Sequence, residues 1–117
     1  MKLVQISEKI SRNELKEMSK NMFNHIVKAV VDIEKGVIIV DAEMHSDEEQ
    51  MLLESGSNQE HLWGINFYPD KKIEDENFIE FDSMINIRPK QGNITRGIEN
   101  HNIQKQIKNI VYSLVTE

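Results

Sequence analysis

Residues 26–42 read IVKAVVDIEKGVIIVDA, two β-branched runs separated by Ile33, Glu34, Lys35 and Gly36. β-Branched side chains pack well on a pleated surface, and glycine supplies the positive φ that a tight reversal requires. The stretch therefore predicts a β-hairpin, Ile26 to Asp32 paired with Val37 to Ala42, around which the remaining elements must organise.

Upstream, Ser11 and Glu14 have capping-box spacing and open a first helix. Its apolar stripe is Leu15, Met18, Met22 and Phe23, and its end is expected near Asn24. Downstream, Ser46 and Glu49 form a second such pair, predicting a short helix that carries Met51, Leu52 and Leu53 to Ser55 and Gly56. Trp63, Ile65 and Phe67 alternate with Gly64, Asn66 and Tyr68, the periodicity of a strand, until Pro69 and Asp70 end it. A fourth strand is expected over Phe78 to Ile87, with Ile79, Phe81, Ser83, Ile85 and Ile87 on the core face. Glu80, Asp82, Met84, Asn86 and Arg88 fall on the wet face, and Pro89 closes the strand. After a loop containing Gly92, Asn93 and Gly97, a final amphipathic helix runs through Ile103, Ile107, Ile110, Val111 and Leu114, with Asn100 or Asn102 as its cap. The order α-β-β-α-β-β-α predicts a single α+β domain over residues 1–117. Its small antiparallel sheet has about four strands, with helices packed on one face and the other left polar.

Composition narrows the function classes. The chain has 117 residues and no cysteine, which excludes a disulfide framework, a thiolate metal site and a thiol nucleophile. No apolar run approaches the ~20 residues that span a bilayer, and the N-terminus has no signal-peptide pattern, so a cytoplasmic protein without membrane association is expected. The net charge of -6 is unevenly distributed: residues 36–83 carry two Lys/Arg against thirteen Asp/Glu. An acidic field of that kind repels phosphate backbones and disfavours nucleic acid as a partner.

Two constellations could carry chemistry. Asp41, Glu43 and His45 lie at alternate positions with Asp47 just beyond, so a continuing strand would project them from one face as ligands for a divalent metal. The plainer alternative is a solvated strand end with Asp47 at a helix N-terminus. Asn66, Asp82, Asn86 and Arg88 would share the polar sheet face, and Asn93 and Arg96 follow in a donor-rich loop suited to a polar ligand or an anion. Against this stands an ordinary wet sheet surface. His45 is the one histidine of four set among carboxylates. The single tryptophan, Trp63, reads as a core anchor.

The segments LWGINFYP (62–69) and FIEFDSMINIRP (78–89), with QGN at 91–93, VKAVVDIEKG at 27–36 and EMHSDEE at 43–49, resemble a family of small prokaryotic proteins classed as a domain of unknown function. The resemblance implies kinship over nearly the whole chain and no activity. The expected function is a binding or regulatory module, including as a homo-oligomer, that recognises a small polar ligand or a protein partner through the polar sheet face. One alternative is a metal-dependent hydrolase built on Asp41, Glu43 and His45, with Asp47 or Glu48 as the base. The other is a component of a toxin–antitoxin-like pair. No cofactor is expected beyond that divalent metal.

Overall fold

A computed structural model describes residues 4–20, 22 and 25–117. In chain order the elements are β1 (Val4–Ile6), β2 (Ile10–Ser11), α1 (Arg12–Ser19), β3 (Val27–Asp32), β4 (Val37–Val40), α2 (His45–Glu54), β5 (Leu62–Phe67), β6 (Ile79–Glu80), α3 (His101–Leu114) and β7 (Val115–Thr116). Three short 3-10 turns, at Gln59–His61, Met84–Asn86 and Pro89–Gln91, complete the order. The protein is α+β, with three helices and a five-stranded antiparallel sheet in the order β1-β4-β3-β5-β6 among the described residues. A two-stranded parallel ribbon joins β2 to β7.

The predicted hairpin forms the centre of the sheet, with Val30 opposite Ile39 and Asp32 opposite Val37. Asp32 pins its turn. One carboxylate oxygen accepts from the Glu34 and Lys35 N–H groups at 2.9 and 3.0 Å, and the other accepts from the Ser57 hydroxyl at 2.6 Å. Gly36 takes φ +68, the left-handed conformation for which glycine has no Cβ penalty.

Ser11 caps α1 as expected, accepting from the Glu14 N–H at 3.1 Å, but the helix stops at Ser19. Phe23 and Asn24, where the stripe and helix end were expected, lie outside the described residues. Asn100 caps α3 through the N–H groups of Asn102 and Ile103. The second capping box does not form: Met44 and not Ser46 is the cap position, so α2 begins two residues earlier than expected, at His45, and no side chain caps it.

The sheet is covered on both faces, which differs from the expected one-sided packing. Val27, Ala29 and Val31 join Trp63, Ile65 and Phe67 in a core that takes Leu15 of α1 and Ile107 and Val111 of α3. The alternate residues Val30, Ile39 and Leu62 form a second, smaller core with Leu52 of α2. A helix of ten residues is marginal alone. Burying Leu52 contributes roughly 1.5–3 kcal/mol to holding α2 in place.

The expected fourth strand also changes. Only Ile79–Glu80 pairs with β5, through Phe67 and Asn66; beyond Glu80 the backbone leaves the ladder for the Met84–Asn86 turn. The open edge of β5 is then completed by side chains. Asn86 Oδ1 accepts from the Gly64 N–H at 2.8 Å, and Asn86 Nδ2 donates to the Gly64 carbonyl at 2.9 Å and the Arg96 carbonyl at 3.0 Å. The Arg88 guanidinium donates to the Leu62 carbonyl and lies over the Trp63 ring, 4.2 Å from its centroid. A lone backbone edge is thus paired without a further strand.

Such close approach requires glycine at 64. A Cβ there would stand 2.5 Å from Ser83 Cβ and 3.1 Å from Ile85 Cγ1. Gly64→Ala is therefore expected to destabilise the fold by about 1–3 kcal/mol, as overpacking does, whereas the same change at Gly97, with no atom nearer than 3.5 Å, should cost less. Urea unfolding of the two variants compares them.

Candidate functional site

The second face of the sheet is apolar only over half its width. At the other end Lys28 lies directly opposite Asn66, and Asn66 opposite Glu80, so three polar residues form one row across β3, β5 and β6. The start of α2, Met44 to Ser46, and the segment Asp82 to Ile85 rise on either side of this row. Between them is a cavity of about 450 Å³, to which Tyr68 and Arg96 also contribute. Cavities that hold small ligands run to roughly 300–1,000 Å³.

Asn66 is only 5% exposed. Its Nδ2 donates to Glu80 Oε1 at 2.8 Å and to the Asp82 carbonyl at 3.2 Å, two acceptors that fix which way the amide points. Its Oδ1 is buried without a hydrogen-bond partner among the described residues while His45 is neutral; a hydrogen bond between the His45 ring and the Asn66 side chain favours the protonated imidazole. Glu80 Oε1 also accepts from the Tyr68 hydroxyl at 3.0 Å. Burial, reinforced by Glu80, pushes the Tyr68 phenol up and keeps it a donor. His45 Nε2 lies 2.8 Å from the Ile65 carbonyl, which only accepts, so that nitrogen carries the proton. Burial lowers the imidazole's pKa and favours the neutral ring. Arg96 and Asp82 pair with each other at 2.7 and 3.4 Å on the cavity rim.

Of the six residues expected to bind a ligand, the structure brings Asn66, Asp82 and Arg96 together and adds His45. Asn86, Arg88 and Asn93 are engaged elsewhere. The first two complete the edge of β5. Asn93 is buried, donating to the Asn86 and Gly97 carbonyls at 2.7 and 2.8 Å and accepting from the Glu99 N–H at 2.9 Å. The anion loop is therefore internally satisfied at Asn93. Lys28, Tyr68 and Glu80 were missed as site residues, although Lys28 is the one charge in the apolar run Ile26 to Val31 and Glu80 stood on the expected wet face beside Asp82.

The expected metal cluster does not assemble. It needed the alternation of β4 to continue, but the strand ends at Val40 and Asp41 turns the chain at φ +71. Asp41, Glu43 and Asp47 line a separate acidic groove of about 410 Å³, while His45 turns to the polar cavity. Among the described residues no three His, Asp or Glu side chains stand close enough to hold a metal ion. Glu48, one of the two bases assigned to that reading, is fully buried, and burial pushes its pKa up to about 10. It is protonated at neutral pH, with Oε2 accepting from the Ala42 N–H at 3.2 Å, and cannot take a proton there.

Residues 4–114 match the family model described as "Protein of unknown function (DUF5674)". The chain belongs to this family. The kinship expected from the sequence is therefore met, and the DUF5674 match spans every element from β1 to α3, cavity included. No curated protein and no solved structure matches the chain. Among the described residues no helix is long and apolar enough to cross a membrane.

The buried Glu48 makes stability depend on pH with a defined sign. Its folded pKa is raised from an ordinary 4.5 to about 10. The folded state thus keeps a proton that the unfolded chain releases, and stability falls as pH rises through that window. Glu48→Gln should remove this slope, leaving the variant more stable than the parent at about pH 9 and little changed at about pH 4. Thermal unfolding across pH measures it.

Proposed function

We propose that the chain is a non-catalytic binding or regulatory module that takes a small polar ligand into the cavity over the Lys28, Asn66 and Glu80 row. The observation that carries this reading is Asn66 Oδ1, a buried acceptor without a partner among the described residues, in a side chain on the cavity wall. Leaving such a group unpaired costs about 1–3 kcal/mol, a cost a ligand donor would offset. The neighbouring groups are already oriented: Asn66 and Tyr68 hold Glu80, and the Ile65 carbonyl holds His45. Preorganisation of this kind favours recognition.

A hydrolase reading has less to rest on, because its ligands diverge and Glu48 is protonated. Pairing with a toxin or antitoxin has no specific feature behind it.

A thermal-shift screen of polar small molecules against the intact chain tests the proposal. A ligand at about ten times its Kd should raise Tm by roughly 3–6 °C. The same compounds should do nothing for Ser46→Trp, whose indole would fill the cavity from the exposed first turn of α2. No hit, or hits that stabilise both proteins equally, would count against the cavity.

A further inference from the structure

The unbalanced charges of this cavity narrow the ligand's chemistry. Asp82 is neutralised by Arg96 at 2.7 Å. Lys28 and Glu80, by contrast, belong to none of the six ion pairs among the described residues, of which only Asp82–Arg96 touches this cavity. The cavity therefore presents one unpaired cation and one unpaired anion, two strands apart in the same row. Strand spacing sets their Cα atoms ~10 Å from each other. A phosphate would meet Lys28 but be repelled by Glu80; a simple cation would meet Glu80 but be repelled by Lys28. A ligand carrying both charges satisfies both ends.

The polar partners follow the same division. On the Glu80 side stand acceptors, Glu80 itself and Asn66 Oδ1. On the Lys28 side stand donors. Lys28 Nζ donates one hydrogen to the Glu43 carbonyl at 2.7 Å and has two others, and the adjacent first turn of α2 has no side-chain cap over its N–H groups. His45, held neutral by burial, adds no second cation. At the mouth, Met44 and Met84 are 57% and 65% exposed, two flexible apolar side chains that line the cavity from opposite walls.

Resting on the binding reading above, we propose that the ligand is a free α-amino acid with an apolar side chain. Its ammonium group faces Glu80 and Asn66, its carboxylate faces Lys28 and the first turn of α2, and its side chain lies between Met44 and Met84.

Calorimetric titration of the intact chain tests this with L-leucine, L-methionine and L-phenylalanine, beside N-acetyl-L-leucine and L-leucinamide, each lacking one charge. Adenosine and glucose serve as uncharged polar probes. The zwitterions should bind, and each blocked leucine should bind at least about tenfold more weakly, the loss of one charge-assisted hydrogen bond. Lys28→Met should weaken L-leucine by about tenfold while leaving L-leucinamide unchanged, and Glu80→Gln should do the converse with N-acetyl-L-leucine. Equal binding of free and blocked leucine would overturn the proposal. So would adenosine or glucose binding where the zwitterions do not, a result that leaves the cavity a binding site of another class. Silence from every probe would overturn the proposal and count against the binding reading as well.

Discussion

The edge of β5 depends on one side chain. At Gly64 the backbone N–H and carbonyl face away from β3, and β6 is too short to reach them. Asn86 supplies both partners from its amide and uses its remaining Nδ2 hydrogen on the Arg96 carbonyl. An amide is the group with an acceptor and two donors set at peptide-like spacing, which suits it to imitate the missing strand. Glycine at 64 is the other half of the arrangement, because any Cβ would occupy the space of Ser83. Arg88 extends the repair to Leu62 while its guanidinium stacks on Trp63.

From this contact follows the shape of the site. Holding Asn86 against the sheet lays Ser83 and Ile85 over its second face and fixes Arg96, whose carbonyl accepts from both Asn86 and the Ser83 N–H. The Asp82–Arg96 pair is thereby set on the rim of a cavity whose opposite wall is the start of α2. Polar groups in this region divide into two kinds. Asn86, Arg88 and Asn93 are consumed in holding the segment down. Lys28, Asn66 and Glu80 retain hydrogen-bonding capacity or charge that the fold does not use.

Much of the architecture was legible in local sequence. The hairpin followed from β-branched runs around Gly36, α1 from Ser11 and Glu14, and α3 from its stripe and Asn100, because each rests on contacts a few residues apart. What could not be read depends on distant partners. β1 has three residues and is a strand only because β4 offers an edge; β2 and β7 pair across nearly the whole chain. The alternation in Phe78 to Ile87 predicts a strand, yet Asn86 is buried where a wet face was expected and Ile87 is exposed where core was, because the side chains of Asn86 and Arg88 bind the edge of β5 in place of a ladder. Likewise Asn66 and Asn86 looked equivalent as residues of a wet face. Only the position of Gly64 separates the one that builds the site from the one that lines it.

The bond from the Gly64 N–H to Asn86 Oδ1 closes the edge of β5, and amide hydrogen exchange reads it residue by residue. If a side chain closes this edge, the Gly64 amide should be protected to the level of its β5 neighbours in the parent protein. It should lose most of that protection in Asn86→Ala, under conditions where the Val31 and Ile65 amides stay slow. A Gly64 amide that exchanges in the parent as fast as an exposed loop would contradict the edge repair, and with it the cavity wall that depends on it.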